Sequence, residues 1–485
     1  MTDQTNKPDS PDGPTRNKGN IPGNSGRRKE ALRVFAIAAE NHRRGRMDDA
    51  LRGYARALSI DPRIPDVYNN MGVALRVQGK LEAAIACYRR SLALRPDNAG
   101  VYSNMGNALR EIGKLETAVK SHRRAVELSP KSPEAIYNMG LTLRDLGGND
   151  KALECFEKAL DLKDGYVECR WDRALSLLMN GDLERGFEEY EWRWKLDRGA
   201  PRNYDEPLWD GSELNGTTIL LHHEQGFGDT IQFARYVPMV AARGGRVVVE
   251  CQPELTTLLR TVDGADQIIA RGTPPPAFDT YAPLMSLARI FKTTPKTIPA
   301  DAPYLKAPET HGVHLPVTAA KKLKVGICWA GKPTHKNDRN RSCPFHHFID
   351  IMGLANIAYF SLQVGSGTRD LQNRACDALA IDMGSRCEDF SDTAAVIDQL
   401  DLVVTVDTSV AHLAGALGKP VWILLAFIAD WRWTTKGNTS PWYPSATLYR
   451  QKAIGDWDDV FATVRKDLQK LAATYRPKPK TTATG

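Results

Sequence analysis

The sequence predicts an α-helical solenoid followed by an α/β region of two doubly wound, Rossmann-like lobes, and three observations predict it. From about residue 31 to residue 166 the chain repeats with a period of 34 residues, Gly72, Gly106 and Gly140 falling in step, as do Pro62, Pro96 and Pro130. A repeat of that length buries its apolar face only by stacking on its neighbours, which leaves a concave groove suited to another chain. From Thr217 short β-rich runs alternate with helical stretches, the pattern of parallel sheets with helices packed on them. A segment carrying Pro295, Pro299, Pro303, Pro308 and Pro316 divides those runs into two sets, as a linker between lobes would.

The 485 residues allow about three domains of ordinary size. The expected division is a disordered tail over 1–30, a solenoid with a capping repeat over 31–200, a first lobe over 215–310 and a second over 320–475. The first 28 residues are rich in Pro, Asn, Asp and Gly without an apolar run, so they read as a tail and not as a signal peptide. The longest apolar stretch, Val421 to Ala429, falls far short of the roughly eighteen residues a membrane span requires, and no integral membrane segment is expected. Eight scattered cysteines without a CxxC pair fit reduced thiols in a cytoplasm, the expected location, and argue against structural zinc. A net charge of +7 suits phosphate-bearing ligands or acidic partners, but the basic residues are dispersed and no nucleic-acid module is present, so no nucleic-acid partner is expected.

The repeats read directly. The unit from 99 to 132 carries Tyr102, Met105, Gly106, Leu109, Gly113, Ala118, Ala125 and Pro130; the unit from 65 to 98 carries Tyr68, Met71, Gly72, Leu75, Gly79, Ala84, Tyr88 and Pro96. Looser units flank them, with Gly45, Ala50, Tyr54, Ala57 and Pro62 before and Met139, Gly140, Leu143, Gly147, Ala152, Phe156 and Ala159 after, and a degenerate fifth keeps Trp171, Ala174, Gly181 and Tyr190. The pattern resembles the tetratricopeptide repeat, a helix hairpin with small residues where its helices touch. Residues 167–200, with the run Tyr190-Glu191-Trp192-Arg193-Trp194, read as a capping repeat that seals the solenoid or docks it on the α/β region.

Asn70, Asn104 and Asn138 share one slot on the first helix of three units, and Arg76, Arg110 and Arg144 recur six residues further on. An amide can donate to one peptide group and accept from another, so a ladder of asparagines holds an extended backbone without dictating its side chains. The ladder resembles that of the tetratricopeptide-bearing protein O-glycosyltransferases, which implies a protein or peptide acceptor held by these six residues. Solvated or hairpin-stabilising positions would carry the same residues.

In the second set of strands, Asp401 to Val406 runs as a buried strand into Asp407-Thr408-Ser409-Val410-Ala411-His412, followed by Gly418-Lys419-Pro420. Free N–H groups in the first turn of such a helix, at the positive end of its dipole, can receive a diphosphate. A helix cap with a packed histidine is the plainer alternative. In the first set, His222 to Thr230 forms a strand-end loop with Gly228-Asp229, where a carboxylate could accept the proton of an attacking hydroxyl or simply cap a helix. The basic loop from Gly331 to Pro344 carries Arg341, and Gln363 to Gly367 is a further strand-end candidate for ribose or phosphate contact. The pair His222-His223 lacks a matching ligand cluster, and Asp456-Trp457-Asp458 reads as a helix cap.

These motifs resemble the family-9 glycosyltransferases, the bacterial heptosyltransferases of two-lobed GT-B fold, whose hallmark is Asp-Thr-Gly-x-x-His; Ser409 stands here in place of the glycine. The resemblance implies a nucleotide sugar as donor substrate, with its diphosphate at Asp407, Thr408, Ser409 and His412 and with Gly228 and Gln363 at the same site. It also implies Asp229 as general base, Arg341 neutralising the leaving diphosphate, and neither metal nor resident cofactor. The expected activity is inverting glycosyl transfer to an acceptor, a protein such as flagellin or another secreted protein. A glycolipid or polysaccharide transferase of heptosyltransferase type, and a non-catalytic repeat scaffold with decayed lobes, remain as alternatives.

Overall fold

A glycine at every thirty-fourth position turns the chain: Gly45, Gly79, Gly113, Gly147 and Gly181 have φ between +73° and +86°, a left-handed backbone that costs glycine no Cβ clash. The computed structural model describes residues 23–196, 202, 204–308, 313–316, 319, 321–334 and 337–477. The chain divides into two units, residues 1–142 and 143–485.

The first unit is a stack of antiparallel helices: α1 (Gly23–Arg43), α2 (Met47–Ile60), α3 (Pro65–Val77), α4 (Leu81–Leu94), α5 (Ala99–Glu111), α6 (Leu115–Leu128) and most of α7 (Pro133–Asp145). Helix α1 begins inside the stretch expected as a tail; residues 1–22 lie outside the described residues. Small residues let the helices of a hairpin touch, as the sequence predicts. A Cβ at Gly72 would stand 2.6 Å from the ring of Tyr88, and one at Gly106 would stand 2.5 Å from the ring of His122. The helix starts are equally local: Pro65 and Pro133 open their helices, and the Asn98 side chain accepts from the Val101 N–H at 3.2 Å.

The second unit opens with α8 (Asn149–Leu162), α9 (Val167–Met179) and α10 (Leu183–Tyr190), followed by a 3-10 turn at Glu191–Lys195. Two parallel sheets come next. The first has the order β3-β2-β1-β4, from β1 (Thr218–His222), β2 (Arg246–Cys251), β3 (Gln267–Ala270) and β4 (Thr280–Pro283). The second has the order β10-β9-β8-β5-β6-β7, from β5 (Leu323–Cys328), β6 (Ile357–Ser361), β7 (Ala380–Asp382), β8 (Leu402–Val406), β9 (Val421–Leu425) and β10 (Ala446–Arg450). In both sheets the order reverses beside the first strand, between β1 and β4 and between β5 and β8, which opens a crevice outside the carboxyl ends of those strands.

Alternation along the strands decides what each face meets. Val325, Ile327, Leu402, Val404 and Val406 face one way, against Phe348 and Phe461. Val403, Val421 and Ile423 belong instead to a continuous apolar cluster with Ile219, Leu221, Val247 and Val249 of the first sheet and with Leu178, Leu183 and Phe187 of the last two helices. The cap therefore docks: Phe187 meets Phe233, Trp431 and Trp442 edge-on, with ring centroids 6.2, 5.5 and 6.3 Å away.

The residues after Gly228 do not form one continuous helix: α11 (Phe227–Phe233), a 3-10 turn at Ala234–Tyr236 and a short helix at Val237–Ala241 follow one another, because Pro238 has no N–H to continue the ladder.

Candidate active site

Loop 223–226 leaves the end of β1 at the first sheet's reversal, and α11 then carries Asp229 as its third residue. One carboxylate oxygen of Asp229 accepts from the Gly226 N–H at 2.8 Å, so the helix-capping alternative is realised. The other oxygen accepts from Nη2 of Arg432, which reaches it from the second lobe. The Asp229 side chain stays 19% exposed, against 8% for Arg432. Both sequence readings of Asp229 thus keep a physical basis: it caps, and it keeps an open edge.

Arg432 lies in a 3-10 turn, Trp431–Trp433, between β9 and β10. Its Nε donates to Gln232 at 2.6 Å, its Nη1 to Asp430 at 2.8 Å, and its guanidinium covers the Trp431 ring at 4.3 Å. Sequence reasoning missed Asp430, Arg432, Trp433 and Tyr443. The available signal was the density of aromatic residues in 431–443, together with the pattern acid-Trp-Arg-Trp, which occurs both at Glu191–Trp194 and at Asp430–Trp433.

At the second sheet's reversal β8 delivers Asp407, then Thr408 in extended conformation, then the helix Ser409–Ala416 with Ser409 as its first residue. The Thr408 side chain does not cap that helix. Its hydroxyl pairs with the Thr405 hydroxyl at 3.2 Å, so the first-turn N–H groups are not spent on it. Burial first, then the like charge of Asp430, pushes the Asp407 carboxyl up to about 6. His412 is buried, shares a hydrogen bond with the Tyr443 hydroxyl at 2.9 Å and stacks on Trp433 at 5.3 Å. Burial, reinforced by the cations of Arg432, Arg235 and Arg341, holds its imidazole well below the usual range. A neutral imidazole can offer a phosphate one N–H but no charge.

Arg341 ends the short helix Asp338–Arg341, with Asp338 3.4 Å away, and lies so close over Gly331 that any side chain there would run into its guanidinium. Its charge acts on both Asp407 and His412. Within the same basic loop His335 and Lys336 lie outside the described residues. Arg235, buried, holds the lobes together through the Trp442 carbonyl at 2.7 Å and the Tyr304 hydroxyl at 3.1 Å.

Asp229, Asp407, Thr408, Ser409, His412 and Arg341 thus gather at the carboxyl ends of two sheets. Two expected ligand contacts are explained otherwise. Gln363 is buried with its amide fully occupied: Oε1 accepts from the N–H groups of Trp329 (3.2 Å) and Ala330 (3.0 Å), and Nε2 donates to the carbonyls of Ala330 (3.0 Å) and Val364 (3.1 Å). It staples the end of β5 to the end of β6. Gly228 is needed for lobe contact, since a Cβ there would stand 2.7 Å from the His412 ring. Among the described residues no three His, Cys, Asp or Glu side chains converge as metal ligands, and no helix is long and apolar enough to cross a membrane.

On the repeats, the asparagine slot bonds from unit to unit. Asn104 Nδ2 donates to Asn69 at 3.1 Å, Asn138 Nδ2 to Ser103 at 3.1 Å, and Asn69 Nδ2 to Asn70 at 3.2 Å. Part of the donor capacity is therefore structural, while the carbonyl oxygens of Asn104 and Asn138 are left as acceptors. Of the recurring arginines, Arg76 pairs with Glu111 at 3.1 Å and Arg144 with Asp172 at 2.7 Å, the latter pair mostly buried.

Comparison with known proteins matches two parts of the chain. Residues 74–109 and 106–147 match the TPR repeat and 133–166 the tetratricopeptide repeat, while 387–459 match glycosyltransferase family 9 (heptosyltransferase). The chain is therefore an N-terminal tetratricopeptide-repeat region fused to a heptosyltransferase-like domain. It is 24% identical over 328 residues to Protein FlbA of Caulobacter vibrioides, a match that covers 61% of this chain and 54% of that protein. The chain thus spans about half the length of the curated relative it matches. Similar solved structures include PilF of Pseudomonas aeruginosa (24% identity, 37% of this chain and 80% of that one, TM-score 0.33) and MamA of Desulfovibrio magneticus RS-1 (23%, 36% and 97%, TM-score 0.32).

Proposed function

We propose that the chain is an inverting, metal-independent glycosyltransferase that moves a sugar from a nucleotide sugar to a protein acceptor captured by its repeats. One observation supports the reading above the others: the loop of Asp229 and the turn from Asp407 to His412, each at the reversal of its own sheet, meet where a carboxylate and a phosphate-binding helix start can act on one substrate. In this reading the first-turn N–H groups of Ser409–Ala416, the His412 imidazole and Arg341 bind the diphosphate. Asp229 accepts the proton of the acceptor hydroxyl as that oxygen bonds to the anomeric carbon, and the electron pair of the broken sugar–phosphate bond leaves on the nucleoside diphosphate.

The match to glycosyltransferase family 9 over 387–459 supports the sugar-transfer class. Asparagine acceptors along the first helices of the repeats support a peptide-like acceptor, and flagellin or another secreted protein made in the cytoplasm is the kind of acceptor proposed. Thermal denaturation against a panel of UDP-, GDP-, CMP- and ADP-sugars tests the donor half. A ligand at a hundred times its Kd should stabilise the folded chain by about 2.7 kcal/mol. No shift with any of the four classes overturns the reading, and transfer found only onto lipid or polysaccharide overturns its acceptor half.

A further inference from the structure

The catalytic reading leaves a contradiction at Asp229. One of its carboxylate oxygens is spent on the Gly226 N–H and the other is held by the Arg432 guanidinium, so an acceptor hydroxyl has to compete with a cation for it. For Asp229 to take a proton, the cation must first be drawn off by something more anionic. Arg432 also stands between two carboxylates, Asp229 and Asp430, and acts on both Asp407 and His412. Three carboxylates and one neutral imidazole surround the place of the diphosphate, and Arg341 alone leaves negative charge in excess there unless Arg432 is turned toward the phosphates as well.

We infer that Arg432 is a ligand of the donor's diphosphate, and that donor binding moves it from Asp229 to the phosphate oxygens, freeing the base only when a donor is present. The inference rests on the glycosyltransferase reading and adds to it a residue and an order of events. The planar guanidinium fork suits two phosphate oxygens as well as it suits a carboxylate, so the exchange replaces one bidentate partner class by another of higher charge.

The other acid-Trp-Arg-Trp turn supplies the fixed point. Arg193 grips Glu224 with Nε at 2.7 Å and Nη2 at 3.0 Å, and also reaches Glu191 and Ser286, each at 2.7 Å. Glu224 lies in the loop that leads from β1 into α11, and Asp229 in the first turn of that helix. With Glu224 held on the cap side, Asp229 can change partner while the loop stays anchored at the site. After the exchange the acceptor hydroxyl gives its proton to Asp229, its oxygen bonds to the anomeric carbon, and the sugar–phosphate bond breaks with its electron pair on the diphosphate. When the nucleoside diphosphate leaves, Arg432 returns to Asp229 and the proton passes to water.

Competition between Asp229 and phosphate for one cation has a consequence opposite to that of an ordinary binding-site mutation. Titration calorimetry of the full chain with UDP, GDP and ADP, and with the corresponding monophosphates, reads it. Asp229→Asn, which can still accept from Gly226, should bind the preferred diphosphate about five- to tenfold tighter than the unaltered protein, with a smaller gain for the monophosphate. Arg432→Gln should bind it at least about tenfold more weakly. Should Arg432→Gln fail to fold by circular dichroism, the Asp229→Asn arm decides alone. Affinity in folded Asp229→Asn equal to or below that of the unaltered protein overturns the exchange while leaving the donor site standing. Binding of none of the three diphosphates by the unaltered chain overturns the donor-site reading, and the exchange with it.

Discussion

His122 shows how much one side chain can work against its own fold. It holds the place taken by Tyr54 and Tyr88 in earlier units and by Phe156 and Tyr190 in later ones, fully buried, with neither ring nitrogen bonded. Burial, helped by Arg110, pulls its imidazole down to about 4 from 6.5. A base with a depressed folded pKa gives its full stability above the unfolded value and loses it as pH falls, here between 6.5 and about 4. His122→Phe, the residue already used at 156, should therefore raise stability by about 1–3 kcal/mol at neutral pH by removing unpaired buried nitrogens. It should also flatten the acid limb of a thermal denaturation series. Asp407 runs the other way. Its folded pKa is raised from 3.8 to about 6, so its contribution is present below 3.8 and lost as pH rises through about 6. Asp407→Asn should stabilise the ligand-free chain at pH 7 to 8 and leave it nearly unchanged at pH 4; equal melting shifts at both pH values would contradict the buried carboxyl.

At the scale of elements, the asparagine ladder is structural in its donors: the amide nitrogens of Asn104 and Asn138 tie unit to unit. The proposed peptide acceptor would use the oxygens of the same amides. The triple change Asn70→Ala, Asn104→Ala, Asn138→Ala should thus cost some helix stability and weaken a protein acceptor by at least about tenfold, at roughly 0.5 to 1.5 kcal/mol for each lost contact. Donor binding should be untouched. Acceptor calorimetry beside circular dichroism measures both, and unchanged affinity in a folded triple variant would make the ladder purely structural. Such elements were legible because each is set by neighbours in sequence: the period of 34, the alternation of β-rich and helical runs after Thr217, and the strand and turn at Asp407. What hid was non-local. The Arg432–Asp229 pair joins residues 203 positions apart, Gln363 looks like a ligand until its four backbone partners are known, and Gly228 looks like a phosphate glycine until His412 is seen against it.

At the scale of the whole molecule, the sequence and the packing draw the boundary in different places. The change of period suggests a cut near residue 200, after the last repeat, whereas the compact units divide at residues 142 and 143. The physical reason lies in the cap. Phe187 and Tyr190 belong to the same apolar cluster as Phe233, Trp431 and Trp442, and Arg193 buries its charge on Glu224 in the loop that leads to the helix of Asp229. Helices α8 to α10 follow the pattern of the repeats and belong by packing to the unit that holds the two sheets. A chain cut to residues 143–485 should therefore remain folded and bind the donor diphosphate with the affinity of the full chain, while losing the acceptor contacts of Asn70, Asn104 and Asn138. A chain cut to residues 201–485 should not: it uncovers Phe233, Trp431 and Trp442 and leaves Glu224 buried without its cation, a defect that costs about 3–5 kcal/mol by itself. Expression of both fragments, with melting curves and diphosphate titration on each, makes the comparison. A stable, donor-binding 201–485 fragment would show that the last two repeats only rest on the lobes, and would return the boundary to the place where the period ends.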